Sequence, residues 1–374
     1  VLGEFEMKFL LFFLLYLPVA YSKDCGKSVD LNKTEPLKDM QMLDQDGAGL
    51  CWGFTGAQLI EYEMRLKGTK LPVSPLGLAV KSGEGIVTFM DRPDLEGGFV
   101  SDVMDAAKSN GVLHRSCVEN AVKRFTKNTT MTSSQFTKFL ELVLKNYKWK
   151  FFDSDKYDHI KNALEKRKSS GDVGNEMDHL RGCEYDVALK SLLEMGKLGS
   201  SVTTILNKLL IECEPRDVYD FDYQEHNRGK NDDDDSRMML HLDYQLVQKK
   251  PAAVYLCASA LKKDNSVNYR KLDSKKCGNH VLLAVGKRSN NGTCEYLLRN
   301  SWGSHWSPPG VSCAFRTPDG KYYPDNSAFS AIFQKANEKE SAVLEEMYSK
   351  RTVVGCWFPS DNILKNTFGI GGVK

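Results

Sequence analysis

Gln45-Asp46-Gly47-Ala48-Gly49-Leu50-Cys51-Trp52-Gly53-Phe54 runs from a glycine-rich turn into the start of a helix, with a cysteine at the join. From Cys51 to Lys67 the residues Leu59, Ile60, Met64 and Leu66 supply an apolar side, and Gly68 supplies a stop. A thiol at a helix start suits a nucleophile, because backbone N–H groups and the positive helix end favour the thiolate. Gln45 lies six residues upstream. Its side-chain amide can lie beside the sulfur and join the Cys51 N–H in holding a developing oxyanion. A cysteine before a tryptophan is ordinarily a core thiol, so this reading needs partners elsewhere in the chain.

The partners are found in the second half. Ala253 to Cys257 and His280 to Val285 read as short apolar strands. Asn291-Gly292 is a hairpin turn, and Cys294 to Leu298 is the return strand. A histidine at a strand end beside a loop can face a cleft. The hairpin can bring the Asn300 amide oxygen to the imidazole N–H, fixing its tautomer and ring orientation. Trp302 then covers that hydrogen bond from water. Cys277-Gly278-Asn279-His280 has the look of half a zinc site, but no second ligand pair at matching spacing follows, and no metal or other cofactor is expected.

These stretches together resemble the papain/cathepsin family of cysteine peptidases. The decamer quoted above resembles the segment around the family's catalytic cysteine. Gly278-Asn279-His280-Val281-Leu282-Leu283-Ala284-Val285-Gly286 resembles its histidine strand, and Asn300-Ser301-Trp302-Gly303-Ser304-His305-Trp306 its asparagine motif. Gly97-Gly98-Phe99 looks like the glycine pair whose backbone binds peptide substrate. All occur in the family's order. The resemblance implies an α+β, two-lobed fold: a helical lobe with a central helix, and an antiparallel β-barrel-like lobe. It implies Cys51, His280, Asn300 and Gln45 as catalytic residues. It further implies Gly49, Gly97, Gly98, Phe99, Asn279 and Trp302 as substrate-binding residues.

The resemblance spans about 29–117 and 238–315. From Cys51 to His280 is 229 residues, against ~130–150 in the family. The excess matches a helical insertion over 120–235, between a nucleophile-bearing lobe (23–119) and a β lobe (236–335), with a C-terminal extension over 336–374. Within the insertion, Phe136, Phe139, Leu140 and Val143 recur at helical spacing after Ser133-Ser134. Helices are also expected at Tyr157–Leu164, Val187–Met195 and Val202–Leu209, with a core of their own. Cys183 and Cys213 bracket the last two and are candidates for a disulfide. Asp232 to Asp235 reads as a solvated loop. Beyond Ser349 the tail reads as irregular. Two departures are plain: Ala48 replaces the family's cysteine three residues before the nucleophile, and Leu95 stands where that cysteine's partner usually lies, as the loss of one disulfide would leave.

The 374-residue chain carries 51 basic against 49 acidic residues, so nothing points to nucleic acid or an anionic membrane as main partner. Residues 1–22 read as upstream residues followed by an export signal made of Met7 and Lys8, the run Phe9–Ala20 and Ala20-Tyr21-Ser22, too short for a membrane anchor. Only 28 residues separate Lys23 from Cys51, so no folded N-terminal propeptide is expected, and the insertion is the favoured source of any latency. Ten cysteines in an exported chain predict disulfides, with one of the nine besides Cys51 left over. Asn32, Asn128 and Asn291 open glycosylation sequons. The expected activity is a secreted or otherwise exported thiol endopeptidase (extracellular, periplasmic or lysosome-like). Its partners are peptide or protein substrates and a possible protein inhibitor. The alternatives are a catalytically inactive binding module of the same fold, or a thiol acyl or peptidyl transferase.

Overall fold

The computed structural model describes residues 25–46, 49–85, 97–127, 130–146, 202–218, 220–227, 232–261 and 277–374. The export-signal region, the helices expected at 157–164 and 187–195, and Cys183, Leu95 and Asn128 lie outside these residues. Among the described residues no helix is long and apolar enough to cross a membrane.

The centre of the helical lobe is α1 (Cys51–Leu66), buried along its length from Trp52 to Met64. Burial on all sides means that its polar residues must be paired. Glu61 accepts from Arg65 at 2.9 Å and from Arg115 at 2.8 Å. Around α1 lie α2 (Pro75–Gly85) and α3 (Val100–Asn110). The α1–α3 approach needs glycine: a Cβ on Gly56 would sit 2.6 Å from the Val103 side chain. After the two-residue strand β2 (Val112–Leu113) come α4 (Arg115–Thr126), α5 (Ser133–Asn146) and α6 (Val202–Leu210).

The described helices of the expected insertion differ from the sequence reading in two respects. Phe136, Phe139, Leu140, Leu206 and Leu210 are buried in the same apolar cluster as α1–α3, not in a core of their own. A disulfide, Cys117–Cys213, ties α4 to the end of α6. Cys213 therefore does not pair with Cys183.

Among the described residues the second lobe is one antiparallel sheet of nine strands. Beyond β1 (Val29–Asp30) and β3 (Pro215–Arg216, paired with β2), its strands are β4 (Tyr223–Asn227), β5 (Ala252–Cys257), β6 (Asn279–Asn290), β7 (Thr293–Arg299), β8 (Ser312–Arg316), β9 (Tyr322–Tyr323), β10 (Thr352–Pro359) and β11 (Thr367–Val373). The order is β4-β11-β5-β6-β7-β10-β8-β9, with β1 added beside the end of β6, and the sheet stays open instead of closing into a barrel. The β6–β7 hairpin turns at Asn291-Gly292, both at positive φ (49° and 74°), as a two-residue turn of the primed type requires.

Two expectations are corrected here. The tail is not irregular: after α8 (Asn326–Phe333) and α9 (Glu338–Ser349), β10 lies between β7 and β8, and β11 lies between β4 and β5, with α10 (Ser360–Asn366) linking them. Val353 to Phe358 is apolar on both faces because both faces are covered. The acidic run is not a loop: it opens α7 (Asp232–Val247).

Cys25–Cys294, Cys257–Cys277 and Cys313–Cys356 complete the disulfides among the described residues, and Cys51 is the free thiol among them. Asn32 is fully buried. Its amide donates to Val354 O at 3.2 Å and accepts from Arg299 at 3.0 Å. It is a structural residue despite its sequon.

Candidate active site

Cys51 is the first residue of α1 and is half-buried. Leu50 and Trp52, its neighbours, are buried. The helix packs directly on β6, the strand that carries His280, and the Thr55 hydroxyl donates to Val281 O at 3.3 Å. Burial pushes the Cys51 thiol up, opposed by the backbone N–H groups of Val281, Trp52 and Cys51 itself. Burial thus favours the neutral thiol.

His280 is the second residue of β6, opposite Leu256 of β5. The Cys257–Cys277 disulfide closes the loop beside it, and Ala258 N–H donates to Gly278 O at 2.7 Å. Gly278, at φ 58°, makes the turn into the strand. That disulfide also disposes of the zinc alternative for Cys277. Among the described residues no group of three or more His, Cys, Asp or Glu side chains is arranged to hold a metal.

Asn300 follows β7 and is buried. Its Oδ1 lies 2.8 Å from His280 Nε2 and also accepts Ser301 N–H at 2.8 Å. The second contact settles the first: a backbone N–H can only donate, so the shared atom is the amide oxygen and Nε2 must carry the proton. In the neutral ring Nδ1 is then the basic nitrogen. Trp302 stacks on the imidazole, centroids 4.7 Å apart at 30°, and covers this pair.

Gln45 is buried. Its N–H donates to Ser301 O at 2.8 Å, and the Ser301 hydroxyl donates to its Oε1. One serine thus ties the Gln45 turn to the asparagine loop and occupies the amide's oxygen end, leaving Nε2 as its donor end. Asp44 makes a β-bridge to Trp302 alongside. Sequence reading missed Ser301, although it sits inside the asparagine motif.

The expected substrate-binding residues scatter more widely. Gly97 N–H donates to Gly49 O at 3.4 Å, which sets the glycine pair beside the nucleophile turn. Gly98 lies flat on Trp52; a Cβ there would come within 2.7 Å of the ring. Phe99 is 58% exposed. Asn279 is exposed, and its main chain pairs with Cys257. A second group missed in the sequence anchors this edge: Val100 N–H donates to the Tyr255 hydroxyl at 3.1 Å, and Ser101 N–H donates to Glu225 at 3.2 Å. Tyr255 also donates to Glu225. Two residues of the sheet lobe thus cap the helix that follows the glycine pair.

No family model and no curated protein sequence matches this chain. Among solved structures it is similar to procathepsin L 3 of Tenebrio molitor larval midgut, at 17% identity and TM-score 0.38 over 91% of this chain and 72% of that one. It is similar to xylellain, a cysteine protease from Xylella fastidiosa, at 14% identity and TM-score 0.39 over 93% and 85%. It is also similar to procathepsin B S9 from Trypanosoma congolense, at 13% and 0.37 over 75% and 68%. Likeness this distant transfers no function. The chain has a two-lobed α+β fold in which the buried Cys51 helix packs against an open antiparallel sheet that carries His280, with Asn300 directly after its strand β7.

Proposed function

We propose that the chain is an exported cysteine endopeptidase that hydrolyses peptide bonds through a cysteinyl acyl-enzyme. The single observation that carries this reading is Asn300 Oδ1, fixed as an acceptor by Ser301 N–H, receiving the proton of His280 Nε2 on the strand that packs against the Cys51 helix. A histidine held in that tautomer serves as base at Nδ1. Taking the thiol proton creates an imidazolium, whose charge offsets the burial that otherwise raises the Cys51 pKa.

The Cys51 thiolate attacks the substrate carbonyl carbon. The Gln45 amide and the Cys51 N–H receive the negative charge that develops on oxygen. The tetrahedral adduct collapses as the C–N bond breaks, and His280 gives its Nδ1 proton to the leaving amine. Water then loses a proton to His280, attacks the thioester and releases the acid and the thiol. Gly97 and Gly98 offer backbone groups to an extended peptide, with Phe99, Asn279 and Trp302 on the rim.

We further propose 120–235 as an insertion in the helical lobe. The four disulfides among the described residues fit folding in an oxidising compartment.

The test is turnover of a fluorogenic peptide library by wild type, Cys51→Ala and His280→Ala, with labelling by a peptide epoxide. Hydrolysis by wild type alone, with the label on Cys51, supports the reading. A folded wild-type protein that neither turns over nor takes the label would leave the inactive binding module. Amine-dependent product in place of hydrolysis would indicate a transferase.

A further inference from the structure

We propose that Thr132 and Ser134 are positioning residues for the Gln45 turn, so that the helical segment opening at α5 holds one side of the oxyanion site. The inference rests on the peptidase reading and gives that site a support outside the matched motifs.

The turn at Asp44–Asp46 is an unusual piece of backbone. Asp46 adopts φ 46°, an uncommon conformation for a residue with a side chain. Its N–H folds back onto Asp44 Oδ1 at 2.9 Å, a turn type that aspartate supports. One flank of the turn is held by the asparagine loop, through Gln45 N–H to Ser301 O and the Asp44–Trp302 bridge.

The other flank is held from the start of α5. Thr132 Oγ1 donates to Asp46 Oδ2 at 3.1 Å, and Ser134 Oγ donates to Asp44 O at 2.9 Å. Gln45 is thus the middle residue of a turn gripped from both sides.

The grip on the α5 side is itself rigid. Gln135 N–H donates to Thr132 Oγ1 at 3.1 Å, and Thr132 N–H donates to Gln135 Oε1 at 3.0 Å, a reciprocal cap of the helix start. Because a backbone N–H uses the threonine oxygen as acceptor, the hydroxyl proton is available to Asp46. Ser133 N–H donates to Glu119 at 2.8 Å, and its hydroxyl bonds the same carboxylate, which fixes the segment to α4. Met131 and Phe136, on either side, are fully buried.

An oxyanion donor works only while it is held in place, and displacement by about 1 Å can cost ~10²-fold in rate. Losing one of the two bonds on the α5 side loosens the turn without removing the donor, so Thr132→Val should lower kcat by roughly 3–30-fold, short of that limit. KM should change less than twofold, roughly, since ground-state binding does not use the oxyanion donors. Thr132→Ser keeps the hydroxyl and should recover most of kcat; Thr132→Val with Ser134→Ala should fall further.

The discriminating pair of reagents is a peptide aldehyde, which places an oxygen where the oxyanion forms, and iodoacetamide, which alkylates the thiol without one. Thr132→Val should weaken the aldehyde in proportion to kcat and leave the alkylation rate unchanged. An unchanged kcat, or equal losses in kcat and alkylation rate, would overturn the proposal. Hydrogen exchange of the full chain at 44–46 gives a readout independent of turnover: faster exchange in Thr132→Val than in Thr132→Ser supports the grip, and identical exchange refutes it. Absence of wild-type turnover would defeat the peptidase reading instead, and exchange would still decide whether the turn is held.

Discussion

Replacing Asn300 with alanine removes one oxygen that accepts two hydrogen bonds, from His280 Nε2 and Ser301 N–H, both at 2.8 Å. Leaving a buried donor unpaired costs about 1–3 kcal/mol. Two consequences separate. The Ser301 share falls on the folded state, whatever the chemistry, and appears as lost stability of about 1–3 kcal/mol. The His280 share falls on the reaction, because the ring loses what selects its tautomer while Trp302 still holds its plane at 4.7 Å. Converted at 1.4 kcal/mol per decade, it lowers kcat/KM by ~5–150-fold. The assay is kcat/KM for a fluorogenic peptide across pH, with Cys51→Ala as the zero and thermal unfolding as the check on folding. Asn300→Asp separates geometry from charge: it accepts the same bonds but adds a negative charge, which holds His280 protonated to higher pH and moves the basic limb upward. A folded Asn300→Ala protein as inactive as Cys51→Ala would refute an orienting role, and so would one with wild-type kcat/KM.

Three other outcomes follow from the structure. In His280→Ala the thiol keeps only the environment that raises its pKa, so its alkylation by iodoacetamide should begin above the ordinary thiol value of 9.0, whereas wild type should react well below it; coincident profiles would contradict the ion pair. Asn32→Ala takes a partner from the fully buried Arg299, whose pKa burial pulls down to about 10, and should cost about 2–3 kcal/mol of stability in urea unfolding with activity per folded molecule unchanged. His241, beside His226 at 4.2 Å between ring centroids, is pulled down to about 4, first by burial and then by that neighbour. Its folded pKa lies below its unfolded one, so stability is lost as pH falls from about 6.5 to about 4, and His241→Gln should show a smaller drop in Tm over that window.

What could be read in the sequence was what is encoded locally. α1 announces itself by apolar spacing and Gly68, and the β6–β7 hairpin by Asn291-Gly292 between apolar runs. The residues of the candidate site stand at the ends of these same elements. What could not be read depends on pairing across the chain. β11 contains Gly369, Gly371 and Gly372, which carry no strand signal. Side chains pack directly on that backbone, Asn227 and Tyr255 at Gly369, Tyr223 and Glu225 at Gly371 and Gln245 at Gly372, where a Cβ would lie 2.6 Å from the Gln245 side chain. Cys117–Cys213 depends on α6 returning to α4, which no spacing records. The contact of Thr132 with Asp46 joins residues 86 apart, and a lone threonine before a helix signals only a cap.

The most direct test of Cys51 as nucleophile is to mix the protein with a peptide ester, quench in acid during turnover and locate the acyl group by mass spectrometry. The account predicts a mass increase equal to the acyl portion, mapped to Cys51 and absent in a folded Cys51→Ala protein that also fails to hydrolyse the ester. An acyl group on another residue, or wild-type hydrolysis by Cys51→Ala, would contradict it.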